Sequence, residues 1–251
     1  MRKRGGAGRA GKVKRCAVVY SGGKDGHLAL ARAVERGYSV SCLINIDGGA
    51  RHREYFTELR KTGIVRLHAR LLGMPLLVWK APADFSPKKI MELFPRVLEA
   101  ALSRYAFDVV VSGALEADEG GNASALRKAG KRCGFRVETP CRGASLESAA
   151  RELARRGMCA VIVGVDREVG MEWLGRPLDG RFLAHVRRLR AAGKRITSNS
   201  VQTTVVESPL FRGRVRVVSQ QAVPGRFLGF LRMTAAAGRL GPRSGERRPC
   251  P

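Results

Sequence analysis

The segment 16–37 constrains this chain most. A short apolar run, Cys16-Ala17-Val18-Val19-Tyr20, leads into Ser21-Gly22-Gly23-Lys24-Asp25-Gly26 and then into a helical pattern over 28–35 that Gly37 stops. The run is too short for a helix and reads as a buried strand. Glycines let the backbone turn through positive φ and let a ligand approach the main chain closely. The helix that follows offers unpaired first-turn N–H groups and the positive end of its dipole to whatever occupies the loop. Strand, loop and helix start thus form a cradle for a phosphate-like anion. Ser21 adds a hydroxyl and Lys24 a point charge, whereas Asp25 is placed to cap the helix or help hold magnesium. The competing reading is a plain glycine turn with a capping aspartate. His27 is read as a helix-surface residue, with phosphate contact as the alternative.

Strand and helix patterns alternate along the next hundred residues. Strands are expected over 40–46, 76–79, 108–111 and 135–138, and helices over 59–72, 86–105 and 123–133. Pro95 predicts a kink or two short helices in the third of these. Wholly apolar strands alternating with helices imply an α/β fold, a parallel sheet with helices on both faces. Ligands bind such sheets at the carboxyl ends of strands, where the strand order reverses. Those ends carry Ser21-Gly22-Gly23, Asn45 and Ser112-Gly113.

From Cys141 the pattern changes to a helix over 145–157, a strand over 159–165, a helix over 181–192 and two antiparallel strands over 201–206 and 214–218. This predicts a smaller C-terminal α+β domain. The expected organisation is a basic disordered tail over 1–14, the loop-bearing domain over 15–139, the second domain over 140–220 and a basic C-terminal tail over 221–251. Trp173 and Leu174 are read as a packing anchor between the two halves.

With 44% hydrophobic residues the chain can bury a sizeable core. It has no apolar stretch long enough to span a bilayer and no signal-peptide core, so a cytoplasmic location and no membrane partner are expected. The six cysteines form no CxxC pair, and no metal site is read from them. The formal net charge of +26 fits a nucleic-acid or acidic-protein partner as well as general surface character. Arginines such as Arg32, Arg36, Arg155 and Arg156 are read as single residues on exposed helix faces.

The loop resembles the SGGxDS signature of the ATP pyrophosphatase (PP-loop) superfamily, with Gly26 where the signature has its last serine. It lacks the GxxxxGK[ST] spacing of Walker ATPases. VVSGAL at 110–115, MEWLGRPLD at 171–179 and TTVVESPLF at 203–211 are similar to segments of the diphthine–ammonia ligase family. The resemblance implies a HUP-type α/β domain with a C-terminal domain holding the substrate. It also implies ATP and Mg²⁺ as cofactors, and elongation factor 2 and ammonium as reaction partners. The implied reaction is adenylation of the diphthine carboxylate and its amidation to diphthamide, releasing AMP and pyrophosphate. Ser21, Gly22, Gly23, Lys24, Asp25, Gly26, Ser112 and Gly113 are then the nucleotide-binding residues, with Lys24 and Asp25 the catalytic pair.

The sequence also departs from that family. Where the family carries GExGEYxT, this chain has the run 196–203, ITSNSVQT, without either glutamate. Ser200 and Gln202 are the candidates to replace their hydrogen bonds. The family's Tyr-Gln after SGAI is replaced near Glu119-Gly120, and its Met-Phe-His by Tyr55-Phe56-Thr57. Asp118 and Glu119 are read as a solvated loop pair, with magnesium or the acceptor as the alternative. Two further readings stay open: a tRNA- or RNA-modifying PP-loop enzyme, and a non-catalytic ATP- or RNA-binding relative.

Overall fold

A computed structural model describes residues 13–47, 62–81, 90–113, 122–224 and 228–238. Residues 48–61 and 114–121 lie outside these, and with them Tyr55, Phe56, Thr57, Asp118 and Glu119. The apolar runs form five strands: β1 (Arg15–Val19), β2 (Ser39–Asp47), β3 (Leu76–Lys80), β4 (Val109–Ser112) and β5 (Arg136–Glu138). They pair in the order β3-β2-β1-β4-β5, every pair parallel. Between them run α1 (Lys24–Glu35), α2 (Thr62–Leu72), α3 (Ile90–Leu102) and α4 (Asn122–Arg132). Pro95 sits inside one continuous α3 rather than between two helices.

Strand alternation sorts the core into two layers. Cys16, Val18, Leu43, Val109 and Val111 face the side of α1 and α2, where Leu28, Leu30, Val65 and Leu67 meet them. Ala17, Cys42, Ile44 and Val110 face α3 and α4 through Leu98, Phe94 and Leu126. Helices therefore cover both faces, as the uninterrupted apolar strands require.

The C-terminal half holds α5 (Leu146–Arg155), β6 (Cys159–Asp166), α6 (Gly180–Ala191), β7 (Val201–Glu207), β8 (Arg214–Pro224) and β9 (Leu228–Gly238). Its four-stranded antiparallel sheet has the order β7-β6-β9-β8. Two expectations change here. Residues 221–224 and 228–238, read as part of a basic tail, are strand. The strands at 201 and 214 are not neighbours, because β6 and β9 lie between them.

The apolar layer on the α1/α2 side continues without a break into Ile162, Phe182, Val201 and Phe211 of the C-terminal half. Charge also ties the halves. The Arg32 guanidinium of α1 meets the Glu152 carboxylate of α5, and Arg156 bridges Glu152 to Glu35. Hydrogen bonds from Arg32 hold the Glu152 carboxyl below the usual carboxylate range. Arg32 and Arg156 are thus paired seam residues, not the solvated helix-face arginines expected. Trp173 does not bridge the halves through its ring contacts: it packs on Phe182 and His185 of α6, at 5.1 and 5.0 Å between ring centroids.

The order of the parallel sheet reverses between β1 and β4, and there Gly113 presses on the start of α1. A Cβ added to Gly113 would collide with the Asp25 carbonyl carbon and lie 2.6 Å from the Gly26 nitrogen. Both are backbone atoms that cannot step aside. Gly113→Ala is expected to cost about 1–3 kcal/mol, the usual penalty of overpacking. Gly63→Ala, where nothing lies within 4 Å, is expected to be neutral or stabilising by up to about 1 kcal/mol. Urea unfolding of the two variants checks this, and equal stabilities would contradict the packing argument.

Candidate functional site

Ser21 ends β1's run with an exposed side, and the chain then turns through Gly22, whose φ is +75°. Only a residue without Cβ holds that conformation readily, and a Cβ here would also meet the His68 ring at 3.2 Å. Gly23, by contrast, is extended (φ −85°) and serves as the N-cap of α1, with no side-chain cap. The left-handed turn thus falls at Gly22 alone, and what limits Gly23 is the Thr203 carbonyl, 3.0 Å from where its Cβ would be. Asp25 is the second helical residue rather than the cap, where its charge suits the helix dipole. Its Oδ2 accepts from Lys24 Nζ at 3.1 Å.

The loop does not stand alone. Val205 N–H of β7 donates to the Gly22 carbonyl at 2.9 Å, and the Thr204 hydroxyl reaches the same oxygen at 3.5 Å. Lys24 N–H, the first of α1, donates to Thr203 Oγ1 at 3.0 Å. The Lys24 side chain, 3% exposed, turns toward the C-terminal half. There its ammonium donates to the carbonyls of Ser198 and Val201, at 3.3 and 3.5 Å. Ser112 and Gly113 come to the same helix start from the end of β4, which brings all eight residues expected from the sequence around one helix N-terminus.

His27 departs from its expected surface position. It is fully buried, with Nδ1 2.8 Å from Tyr20 Oη and Nε2 2.8 Å from Ser208 Oγ. His68 of α2 also places Nδ1 against Tyr20 Oη, at 2.9 Å, and both rings pack on Phe211. A tyrosine hydroxyl has one proton, so it donates to one Nδ1 and accepts from the other; the two histidines therefore hold different tautomers. Burial pushes the His27 pKa down to about 4 and raises that of Tyr20 well above its ordinary value. Thr203, Ser208 and His68 were absent from the residues picked by sequence. The only signal for the first two was the TTVVESPLF resemblance, and it carried no contact partner.

The run 196–203 that replaces the glutamate motif forms a 3-10 turn, Ser198–Ser200, ahead of β7. Thr197 N–H donates to Ser200 Oγ, and Asn199 N–H to Thr197 Oγ1, each at 3.2 Å. Set residue by residue against GExGEYxT, the run puts Thr197 and Ser200, rather than the expected Ser200 and Gln202, at the glutamate positions, and these two hydroxyls cap their own turn. Gln202 Nε2 donates to the Asn199 carbonyl at 3.4 Å. Among the described residues no group of three or more His, Cys, Asp or Glu gathers in metal-binding geometry.

A family model described as the diphthamide synthase N-terminal domain matches residues 14–137. No curated protein matches the chain.

The His27 burial has a pH consequence. Its folded pKa of about 4 lies below the ordinary value near 6.5, so the unfolded chain binds the extra proton between the two. The stabilisation is complete above about pH 6.5 and is lost as pH falls toward 4, by an amount on the order of 3 kcal/mol. Unfolding free energies measured from pH 7 to 4 should fall less steeply in His27→Gln than in the parent. Identical slopes would rule out His27 as the titrating group.

Proposed function

We propose, from the match of residues 14–137 to the diphthamide synthase N-terminal domain model, that this chain is an ATP-dependent, AMP-forming ligase of the diphthine–ammonia type. The acceptor would be diphthine on elongation factor 2, and the nitrogen source ammonium. One observation carries the reading: a strand-loop-helix of SGGxD type at the sheet's switch point, whose N-cap, Gly23, has no side chain of its own to occupy the helix start. ATP would supply the adenylyl group that activates the acceptor carboxylate, and Mg²⁺ would offset the phosphate charge. Ser21 and the loop and first-turn N–H groups of α1 bind the phosphates in this reading, with Ser112 and Gly113 closing the other wall. Asp25 is the carboxylate at hand for Mg²⁺, which commonly takes only one or two from protein beside phosphate oxygens and water. Lys24 acts from behind the loop, through Asp25 and β7, rather than from its mouth. Such a site works by positioning and charge stabilisation and requires no protein nucleophile.

The acceptor side departs from the family, because hydroxyls stand at the two glutamate positions. Neither hydroxyl carries a carboxylate's charge or accepts a proton at neutral pH. Ligation slower than in a family member with both glutamates is therefore expected. A second reading, an RNA-modifying enzyme built on the same loop, is favoured by the charge distribution. Between Gly180 and Gly245 the sequence holds a single acidic residue, Glu207.

Mass spectrometry of the products separates these readings. Incubation with diphthine-bearing elongation factor 2, ATP and ammonium should give diphthamide, AMP and pyrophosphate. ADP and phosphate as the sole nucleotide products would remove the assignment, and a modified RNA with unchanged elongation factor would favour the second reading. If diphthamide forms slowly, the pair Thr197→Glu and Ser200→Glu should quicken it.

The serine missing from the loop gives a separate test. A Cβ on Gly26 would sit 3.5 Å from Ser21 N and 3.6 Å from Tyr20 Cα, ordinary contact distances. Gly26→Ser should therefore fold normally and bind ATP as tightly as the parent or up to about tenfold more tightly, the worth of one added hydrogen bond. A clear loss of ATP affinity by calorimetry would show that the loop does not hold phosphate at its helix start.

A further inference from the structure

We propose that strand β7 is a working part of the nucleotide site, with Thr203 as a positioning residue that sets the phosphate loop from the opposite half of the chain. This rests on reading the loop as the nucleotide site. A helix start ordinarily has its first N–H groups met by its own N-cap side chain or by the ligand. Here the N-cap is Gly23, which has no side chain to offer, and Thr203 Oγ1 takes the first N–H, that of Lys24, at 3.0 Å. An anion at this helix start therefore meets a loop whose outermost donor is already engaged and whose direction is fixed from β7.

Two further contacts fix the rest of the loop. The Gly22 carbonyl is drawn to β7 by Val205 N–H at 2.9 Å, so its orientation is set by β7. The buried Lys24 ammonium ties the same stretch to the Ser198–Val201 turn through two carbonyls. That turn is the run standing where the family has its glutamates, so the segment expected to face the acceptor is joined directly to the loop. Thr203, Ser198 and Lys24 are all buried, which shields these bonds from competing water.

The assignment makes ATP affinity depend on a hydroxyl about 180 residues from the loop. The test measures MgATP binding by calorimetry to the full-length protein at a temperature where every variant gives the parent's circular dichroism. Thr203→Val keeps the side-chain shape but removes the acceptor, and should weaken binding about tenfold. Thr203→Ser restores the acceptor and should bind within about twofold of the parent. Val206→Ala serves as the comparison: Val206 is a buried β7 residue, and its loss should lower stability without changing ATP affinity. Amide hydrogen exchange gives a second readout, with faster exchange over 21–26 expected in Thr203→Val but not in Val206→Ala. Parent-like ATP affinity in Thr203→Val overturns the positioning role alone. Equal weakening in Thr203→Val and Val206→Ala also overturns it, since general loosening of β7 then accounts for both. Failure of the parent itself to bind MgATP overturns both this inference and the nucleotide reading beneath it.

Discussion

An edge strand leaves a row of backbone groups without a partner, and folded proteins cover or blunt such edges. In the antiparallel sheet β7 is one edge, and the loop at 21–26 lies against it, with the Gly22 carbonyl taking the Val205 N–H. The same contact meets two needs at once. It satisfies strand groups that would otherwise be exposed at a seam, and it holds a glycine-rich loop that has little conformational preference of its own. The shared apolar layer and the Arg32–Glu152–Arg156–Glu35 chain of charges hold the two halves in the register this contact requires.

Behind the loop, the Tyr20–His27–Ser208 and Tyr20–His68 hydrogen bonds make a polar knot inside the apolar layer. Buried polar groups are tolerable only when they are bonded. This knot joins β1, α1, α2 and the turn after β7, so it constrains the angle at which the helix leaves the loop. Phe211 packs on both imidazoles at 5.1 and 5.0 Å between ring centroids.

The parallel sheet was legible because its strands are short, apolar throughout and bounded by glycine, and because the helices between them carry apolar residues at helical spacing. The phosphate loop was legible because its glycines, lysine and helix are contiguous. What escaped the sequence were the side-chain contacts between segments far apart in it. Lys24 and Thr203 are 179 positions apart, and His27 and Ser208 are 181 apart. Nothing local marks His27 as buried, since its position next to a glycine loop resembles that of any exposed first-turn residue. Strand β9 was hidden for another reason: Ala235, Ala236 and Ala237 followed by Gly238 have little intrinsic strand preference, and pairing with β8 imposes the extended form. The left-handed turn was expected of the glycines generally; it falls at Gly22, while Gly23 is extended.

The distance in sequence between the loop and β7 also sets an order of assembly. Contacts between segments this remote form only after a large loop entropy has been overcome, and so form late in folding. On a ribosome the loop emerges some 180 residues ahead of its partner strand. At about 5–20 residues per second that interval is on the order of 10–40 s. Throughout it, the glycine loop has no edge to lie against and α1 no hydroxyl at its first N–H. A chain whose synthesis stops before β7 carries the whole glycine loop, with its neighbours His68 and Gly113, but none of the contacts that β7 supplies.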